Sequence, residues 1–137
     1  LWRQKARAIR ALARAVTGGL DLRALLRAGP EEARRALTSI PGIGEKTVDV
    51  LLAMFRGDVV PVDTHVKRVA RRLGLTRSRS YEGVRRDLES FFPPELRLKA
   101  HLYLIALGRT VCRARSPKCG ECPVRDFCPS LSSRQVD

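Results

Sequence analysis

The stretch Ile40-Pro41-Gly42-Ile43-Gly44-Glu45-Lys46-Thr47 decides how this chain is read. Upstream of it, alanine-rich residues 31–38 follow Pro30-Glu31-Glu32, a helix start with proline in first position and acids favoured by the dipole. Downstream, Val48, Leu51, Leu52 and Phe55 recur at helical spacing. Two glycines within three residues make the intervening hairpin too tight for other side chains. The reading is helix, short turn, helix. Such a turn presents unencumbered backbone N–H groups at a helix start, where unpaired donors and the positive dipole end favour a phosphate. Short glycine turns also join ordinary bundle helices, so the turn needs support from the rest of the chain.

Working outward, Trp2, Ala6, Ile9, Leu12, Ala13 and Val16 describe a first helix that runs to about Val16 and stops at Gly18-Gly19, with Trp2 read as a core residue. Leu22, Leu25 and Leu26 mark a short second helix ended by Gly29. Beyond the hairpin, residues 57–61 form a connector, and Asp63 stands as N-cap to a helix carrying Val66, Val69, Ala70 and Leu73 and ended by Gly74. Residues 81–92 and 94–107 read as two more helices; the last is apolar on three sides, so it is expected to be buried, with Leu104-Ile105 in the core. No period-two strand appears. The fold class expected is all-α, as two small helical lobes over residues 1–58 and 59–137.

The 137 residues carry 27 Lys+Arg against 14 Asp+Glu, a net charge of +13. That balance favours a polyanionic partner, nucleic acid ahead of an anionic membrane surface, because basic side chains neutralise phosphates and release counterions. It puts the hairpin's glycines in a phosphate-binding context. Arg supplies 22 of the basic residues, Asn is absent and Gln occurs twice, a bias that fits a high-temperature host or a GC-rich genome. The longest apolar runs span six residues, far short of the ~18 needed to cross a bilayer. No secretory signal opens the chain, and the expected compartment is the reducing cytosol. The chain starts at Leu1 rather than Met and reads as a piece of a longer protein.

Cys112, Cys119, Cys122 and Cys128 stand as Cys-x6-Cys-x2-Cys-x5-Cys. Four thiolates so close suit a tetrahedral zinc ion or a [4Fe–4S] cluster, and spacing alone does not separate them; two disulfides are the alternative that a reducing compartment disfavours. Four protein ligands leave no open position, so the site is structural by default. Arg113, Arg115 and Lys118, inside the first cysteine loop, form a cationic rim that either grips phosphate or offsets an anionic cluster. Lys46 falls in the first turn after the hairpin, where the dipole disfavours a cation. That position, with partial burial, favours the neutral amine that a Schiff-base nucleophile needs. Asp63, seventeen residues on, can take a proton or face a developing positive charge. An ordinary surface lysine and a plain N-cap explain the same two residues. His65 reads as a helix-end hydrogen-bond partner and Asp49 as a polar contact near the hairpin. Lys67, Arg68, Arg71 and Arg72 form a solvated face or extend a DNA track.

The hairpin 40–47, the connector ending in Val62-Asp63-Thr64-His65, the run Gly108-Arg109-Thr110-Val111-Cys112 and the four-cysteine spacing together resemble the helix-hairpin-helix (HhH-GPD) DNA glycosylases of the endonuclease III branch. Leu1-Trp2-Arg3-Gln4-Lys5-Ala6 is similar to the aromatic, lysine-alanine helix start of that family, and the resemblance covers nearly the whole chain. It implies a bifunctional glycosylase/AP lyase of base excision repair, with Lys46 as nucleophile and Asp63 as the essential aspartate, acting on oxidised pyrimidines. It implies DNA contacts from Pro41, Gly42, Ile43, Gly44, Arg113, Arg115 and Lys118, and a [4Fe–4S] cluster on the four cysteines, with zinc the lesser alternative. The partner implied is duplex DNA with a damaged base or an abasic site, bound by a monomer in the nucleoid-bearing cytoplasm. The active cleft would lie between the two lobes, with Asp63 at their junction. Adenine glycosylases of the MutY type share the cluster but usually lack the lysine and carry a further C-terminal domain; Lys46 and the end at Asp137 argue against that branch. Family members also have a sizeable segment before the aromatic-lysine helix that this sequence does not include. The competing reading is a non-catalytic or monofunctional DNA-binding relative, including a mismatch glycosylase.

Overall fold

The computed structural model describes residues 2–132; Leu1, which opens the aromatic-lysine motif, and residues 133–137 lie outside the described residues. The described residues form α-helices, two 3₁₀ turns and no strand. The chain divides into two compact units between Val59 and Val60.

The first unit holds α1 (Trp2–Thr17), α2 (Leu22–Ala28), α3 (Pro30–Thr38) and α4 (Glu45–Arg56). Asp21 caps α2 by accepting the Ala24 N–H at 3.0 Å, α3 begins with Pro30 in its first turn, and α4 ends at Gly57 in the left-handed region. Leu26, Ala33, Leu37, Ile40, Val48, Leu52 and Val59 close the core, and Ala11, Leu12 and Ala15 bring α1 against it. Within that core Arg34 Nε donates to Asp49 Oδ1 at 2.7 Å, with Asp49 fully buried. Asp49 is thus a polar contact, made with α3 rather than with the hairpin. Trp2 is not a core residue: it is 72% exposed, and α1 buries no residue. Its apolar stripe is wider than the part of it that the other three helices cover.

The second unit holds α5 (Thr64–Arg72), α6 (Tyr81–Phe91), α7 (Pro94–Thr110), 3₁₀ turns at Cys119–Glu121 and Arg125–Phe127, and α8 (Pro129–Ser132). Val60, Val62, Val66, Val69, Ala70, Val84, Leu88 and Leu104 form its core. The expectation that α7 is buried nearly all round is corrected: it buries Ala100, His101, Leu104 and Gly108, while Tyr103 is 71% exposed. Its apolar residues encircle the helix, but α5 covers one side only. Ile105 is partly buried against the core rather than within it. The approach of α5 to α7 depends on Gly108, where a Cβ would stand 2.9 Å from His65 Cβ and 3.2 Å from Val69 Cγ2. His101 Nδ1 lies 2.9 Å from the Pro61 carbonyl and ties α7 to the connector.

Candidate functional site

In the first unit, Ile40 is buried and anchors the hairpin, and the Ile43 N–H closes the turn on the Ile40 carbonyl at 3.1 Å. Gly42 has φ +87°, and a Cβ there would meet Ala8 Cβ at 2.9 Å, so both the backbone and the contact with α1 demand glycine. Gly44 differs from expectation: its backbone is extended, with open space around it, and it serves as N-cap of α4. As a glycine it caps with no side chain, so α4 starts without a side-chain acceptor for its first N–H groups. The Thr47 and Val48 N–H groups bond the Gly44 carbonyl at 2.9 and 3.2 Å. Pro41, Gly42 and Gly44 are exposed and Ile43 is half-buried. A hollow of about 590 Å³ runs beside them, lined by Gln4, Lys5 and Ala8 of α1 with Gly42, Ile43 and Thr47. Lys46 is exposed in the first turn of α4. The buried face of α4 is Val48, Asp49, Leu52 and Ala53, which points Lys46 outward on the same turn as the uncapped amides.

Asp63 belongs to the second unit. Its backbone is extended, its side chain is half-buried, and its Oδ1 accepts the Val66 N–H at 2.7 Å. One carboxylate oxygen therefore fixes the side chain as the N-cap of α5, and a carboxylate has a second oxygen to offer. His65 Nδ1 stands 3.1 Å from an Arg68 guanidinium nitrogen, the helix-end partnership expected of it.

The four cysteines are free thiols, each half-buried, and all four line one pocket with Leu107, Val111, Pro117 and Leu131. Local backbone bonds shape the loop: Cys112 N–H to Leu107 O at 2.7 Å, Lys118 N–H to Val111 O at 3.0 Å, Cys122 N–H to Cys119 O at 3.2 Å and Cys128 N–H to Arg125 O at 3.1 Å. Four soft donors ringing one apolar-walled pocket fit a [4Fe–4S] cluster. Among the described residues no three His, Cys, Asp or Glu side chains gather on a single-ion position. Arg113, Arg115 and Lys118 are exposed on the first cysteine loop, and Lys118 Nζ is 3.4 Å from Glu121.

Sequence reasoning missed what holds this loop. Arg68 donates from Nε to the Cys112 carbonyl at 3.1 Å and from a terminal nitrogen to the Gly108 carbonyl at 2.8 Å. Arg72 donates to Cys112 Sγ at 3.4 Å, to the Arg113 carbonyl at 2.7 Å and to the Ala114 carbonyl at 3.2 Å. The Arg72 carbonyl accepts in turn from Cys128 Sγ at 3.5 Å and Ser130 Oγ at 2.8 Å. One residue of α5 thus touches the first and the last cysteine. The four-residue spacing of Arg68 and Arg72 puts them on one helix face, but nothing in sequence says that this face meets carbonyls some forty residues away.

Comparison with known proteins agrees with this anatomy. A family model described as HhH-GPD superfamily base excision DNA repair protein matches residues 1–94, and one for the iron-sulfur binding domain of endonuclease III matches residues 112–128. Endonuclease III of Sulfolobus acidocaldarius is 42% identical over 130 residues, 93% of this chain and 57% of that protein. The Treponema pallidum protein of the same name is 46% identical over 94 residues, 68% of this chain and 44% of its own length. The Escherichia coli K12 protein is 39% identical over 100 residues, 72% and 47% respectively. A trapped endonuclease III–DNA covalent intermediate superimposes with a TM-score of 0.79 at 32% identity, over 98% of this chain and 61% of that one. A non-covalent endonuclease III–DNA complex gives 0.77 at 31%, over 99% and 62%. The chain spans about half the length of the curated relatives it matches.

Proposed function

Since the chain belongs to the HhH-GPD superfamily of base excision DNA repair proteins, we propose that it supplies the catalytic and cluster-bearing part of a DNA glycosylase with AP lyase activity. The partner is duplex DNA holding a damaged base, an oxidised pyrimidine in the first instance, or an abasic site. The observation that carries the reading is Lys46, exposed on the first turn of a helix whose N-terminus has no side-chain cap and opens directly from the glycine hairpin. The hairpin amides, with Pro41, Gly42, Ile43 and Gly44, hold backbone phosphate; Arg113, Arg115 and Lys118 hold it on the cysteine loop. Residues 1–58 act as the C-terminal part of the hairpin lobe and residues 59–137 as the lobe that carries the cluster. The bound form is a monomer working in the nucleoid-bearing cytoplasm; among the described residues no helix is long and apolar enough to cross a membrane.

The damaged nucleotide is extruded so that its sugar carbon becomes reachable. Lys46 Nζ gives its lone pair to C1′, the glycosidic bond breaks, and the base leaves with that electron pair and a proton. Opening of the sugar ring yields an imine between Nζ and C1′. The imine acidifies the C2′ hydrogen, and loss of that proton expels the 3′ phosphate by β-elimination. Asp63 keeps one oxygen on the Val66 N–H and has the other to act as a proton acceptor or to face a cationic sugar. Cys112, Cys119, Cys122 and Cys128 would hold the [4Fe–4S] cluster, which would supply a structural cross-link for the segment between α7 and α8.

Borohydride trapping on an abasic-site duplex tests the reading, since reduction turns the imine into a permanent link. A covalent adduct with the parent chain that vanishes in Lys46→Gln, at similar DNA affinity, is expected. Equal adducts from both, or none from a parent that binds the duplex, would leave the non-catalytic relative as the better account.

A further inference from the structure

Besides the cysteine pocket, the second unit carries a basin of about 690 Å³ lined by Thr64, Lys67, Arg68, Arg71, Arg72, Thr76, Arg77 and Ser130. Five of these eight are cations and none is acidic. The helix dipole accounts for Arg71 and Arg72, which sit in the last turn of α5. It does not account for Lys67 and Arg68 on earlier turns of α5, nor for Arg77 on the segment that follows. Nor does amphipathicity explain the crowding, because α5 needs a polar face opposite Val66, Val69 and Ala70 but not a face of one sign.

The five cations fall into two sets. Three are fixed: Lys67 Nζ donates to the Arg79 carbonyl, and Arg68 and Arg72 donate to carbonyls at 2.8 and 2.7 Å. Carbonyl partners do not neutralise these groups, so they contribute a standing positive potential to the basin, Arg72 the least because it also donates to Cys112 Sγ. Arg71 and Arg77 are exposed on its wall and carry the planar forks that match phosphate oxygens. Thr64, exposed at the start of α5, adds a hydroxyl. Asp87, hydrogen-bonded to Thr76 Oγ1, is not among the groups that line the basin.

We propose that this basin is a further phosphate site that takes the sugar-phosphate backbone of the DNA duplex, gripped by Arg71 and Arg77 in the potential set by Lys67, Arg68 and Arg72. It is built from side chains other than those of the hairpin and the cysteine-loop rim, and it rests on the DNA-binding part of the reading above. It lengthens the footprint on undamaged duplex and is indifferent to the lesion.

The test is the salt dependence of affinity for an undamaged duplex, measured by fluorescence anisotropy on the cluster-loaded chain. Removing one phosphate-neutralising cation lowers the slope of log K against log salt by about 0.9, so Arg71→Gln with Arg77→Gln is expected to lower it by about 1.8. Arg86→Gln, an exposed arginine of the same unit with Glu82 as its ion-pair partner at 3.0 Å, is the control and leaves the slope as in the parent. A double variant with the parent's slope overturns the proposal. So does an equal fall per charge in Arg86→Gln, which would make net charge rather than a site responsible. A parent whose affinity ignores salt overturns it as well. The lyase reading fails on a different readout, the Lys46→Gln trapping comparison, which uses neither arginine.

Discussion

At the scale of single residues, Asp63 has a structural duty as N-cap and, in the proposed reaction, a chemical one, and substitution can separate the two. Asn is as good an N-cap as Asp, whereas Ala removes the acceptor and costs roughly 0.5–2 kcal/mol. Asp63→Asn should therefore melt with the parent yet slow adduct formation by about 10²–10⁴, the usual worth of a positioned acid–base group; Asp63→Ala should lose both stability and rate. Melting curves beside trapping kinetics check this, and an Asn variant that traps at the parent rate would reduce Asp63 to a cap. Gly42 makes the opposite point, because no chemistry is asked of its side chain. Its φ of +87° and the 2.9 Å approach of a Cβ to Ala8 mean that Gly42→Ala should cost about 1–3 kcal/mol and loosen the hairpin. Gly44→Ala, in extended backbone with open space, should be far milder. The two glycines look alike in sequence; denaturant midpoints for both variants would tell them apart.

At the scale of elements, α5 joins the cap residue, the core and the cysteine loop within nine residues. One face inserts Val66, Val69 and Ala70 into the core, and the other sends Arg68 and Arg72 to the backbone around Cys112. Replacing Arg72 by Gln removes the donors to Cys112 Sγ and to the Arg113 and Ala114 carbonyls together. We expect Arg72→Gln to lose iron faster under a chelator challenge, and Arg72→Lys to recover only part of the difference because an ammonium cannot reproduce the fork. Iron per chain and visible absorbance over time measure it; parent-like retention in Arg72→Gln would show that the thiolates hold the loop unaided. The ion pair between α3 and α4 is the other inter-element device. Asp49→Ala removes the buried carboxylate that accepts from Arg34 Nε and leaves Glu31 as an ion-pair partner at 2.5 Å, so it should cost about 1–3 kcal/mol, read from thermal melts.

At the scale of the whole molecule, the two units have separate cores, and the segment that carries the last three cysteines adds little to either. Neither 3₁₀ turn buries a residue, while the core of the second unit is closed by valines and leucines before Cys112 is reached. Removing iron should thus leave the far-ultraviolet helical signal largely intact and abolish hydrogen-exchange protection in residues 112–131, since metal ligation supplies what packing does not. Global loss of helix on chelation would contradict this division.

Helices α1 to α7, the hairpin, the cap at Asp63 and the four-cysteine loop were legible in the sequence, because each is governed by neighbours close along the chain. Proline at a first turn, glycine at positive φ, Asp before a helix and thiols a few residues apart act locally, and tertiary context had little left to change. Position Gly108 lay on a legible helix, but its need to be glycine did not, since that need arises from His65 and Val69 across the α5–α7 contact. Burial followed the same rule. The apolar pattern put Trp2 in the core and α7 under cover, yet how much of a stripe is buried depends on which helices arrive to cover it. Folding in three dimensions was needed to assign Arg68 and Arg72 to the cysteine loop, to give Asp49 to Arg34, and to gather five cations in one basin. Those relations join residues up to 56 positions apart, and a guanidinium's partner is fixed by which carbonyl the fold brings within hydrogen-bond reach, a distance no local pattern encodes.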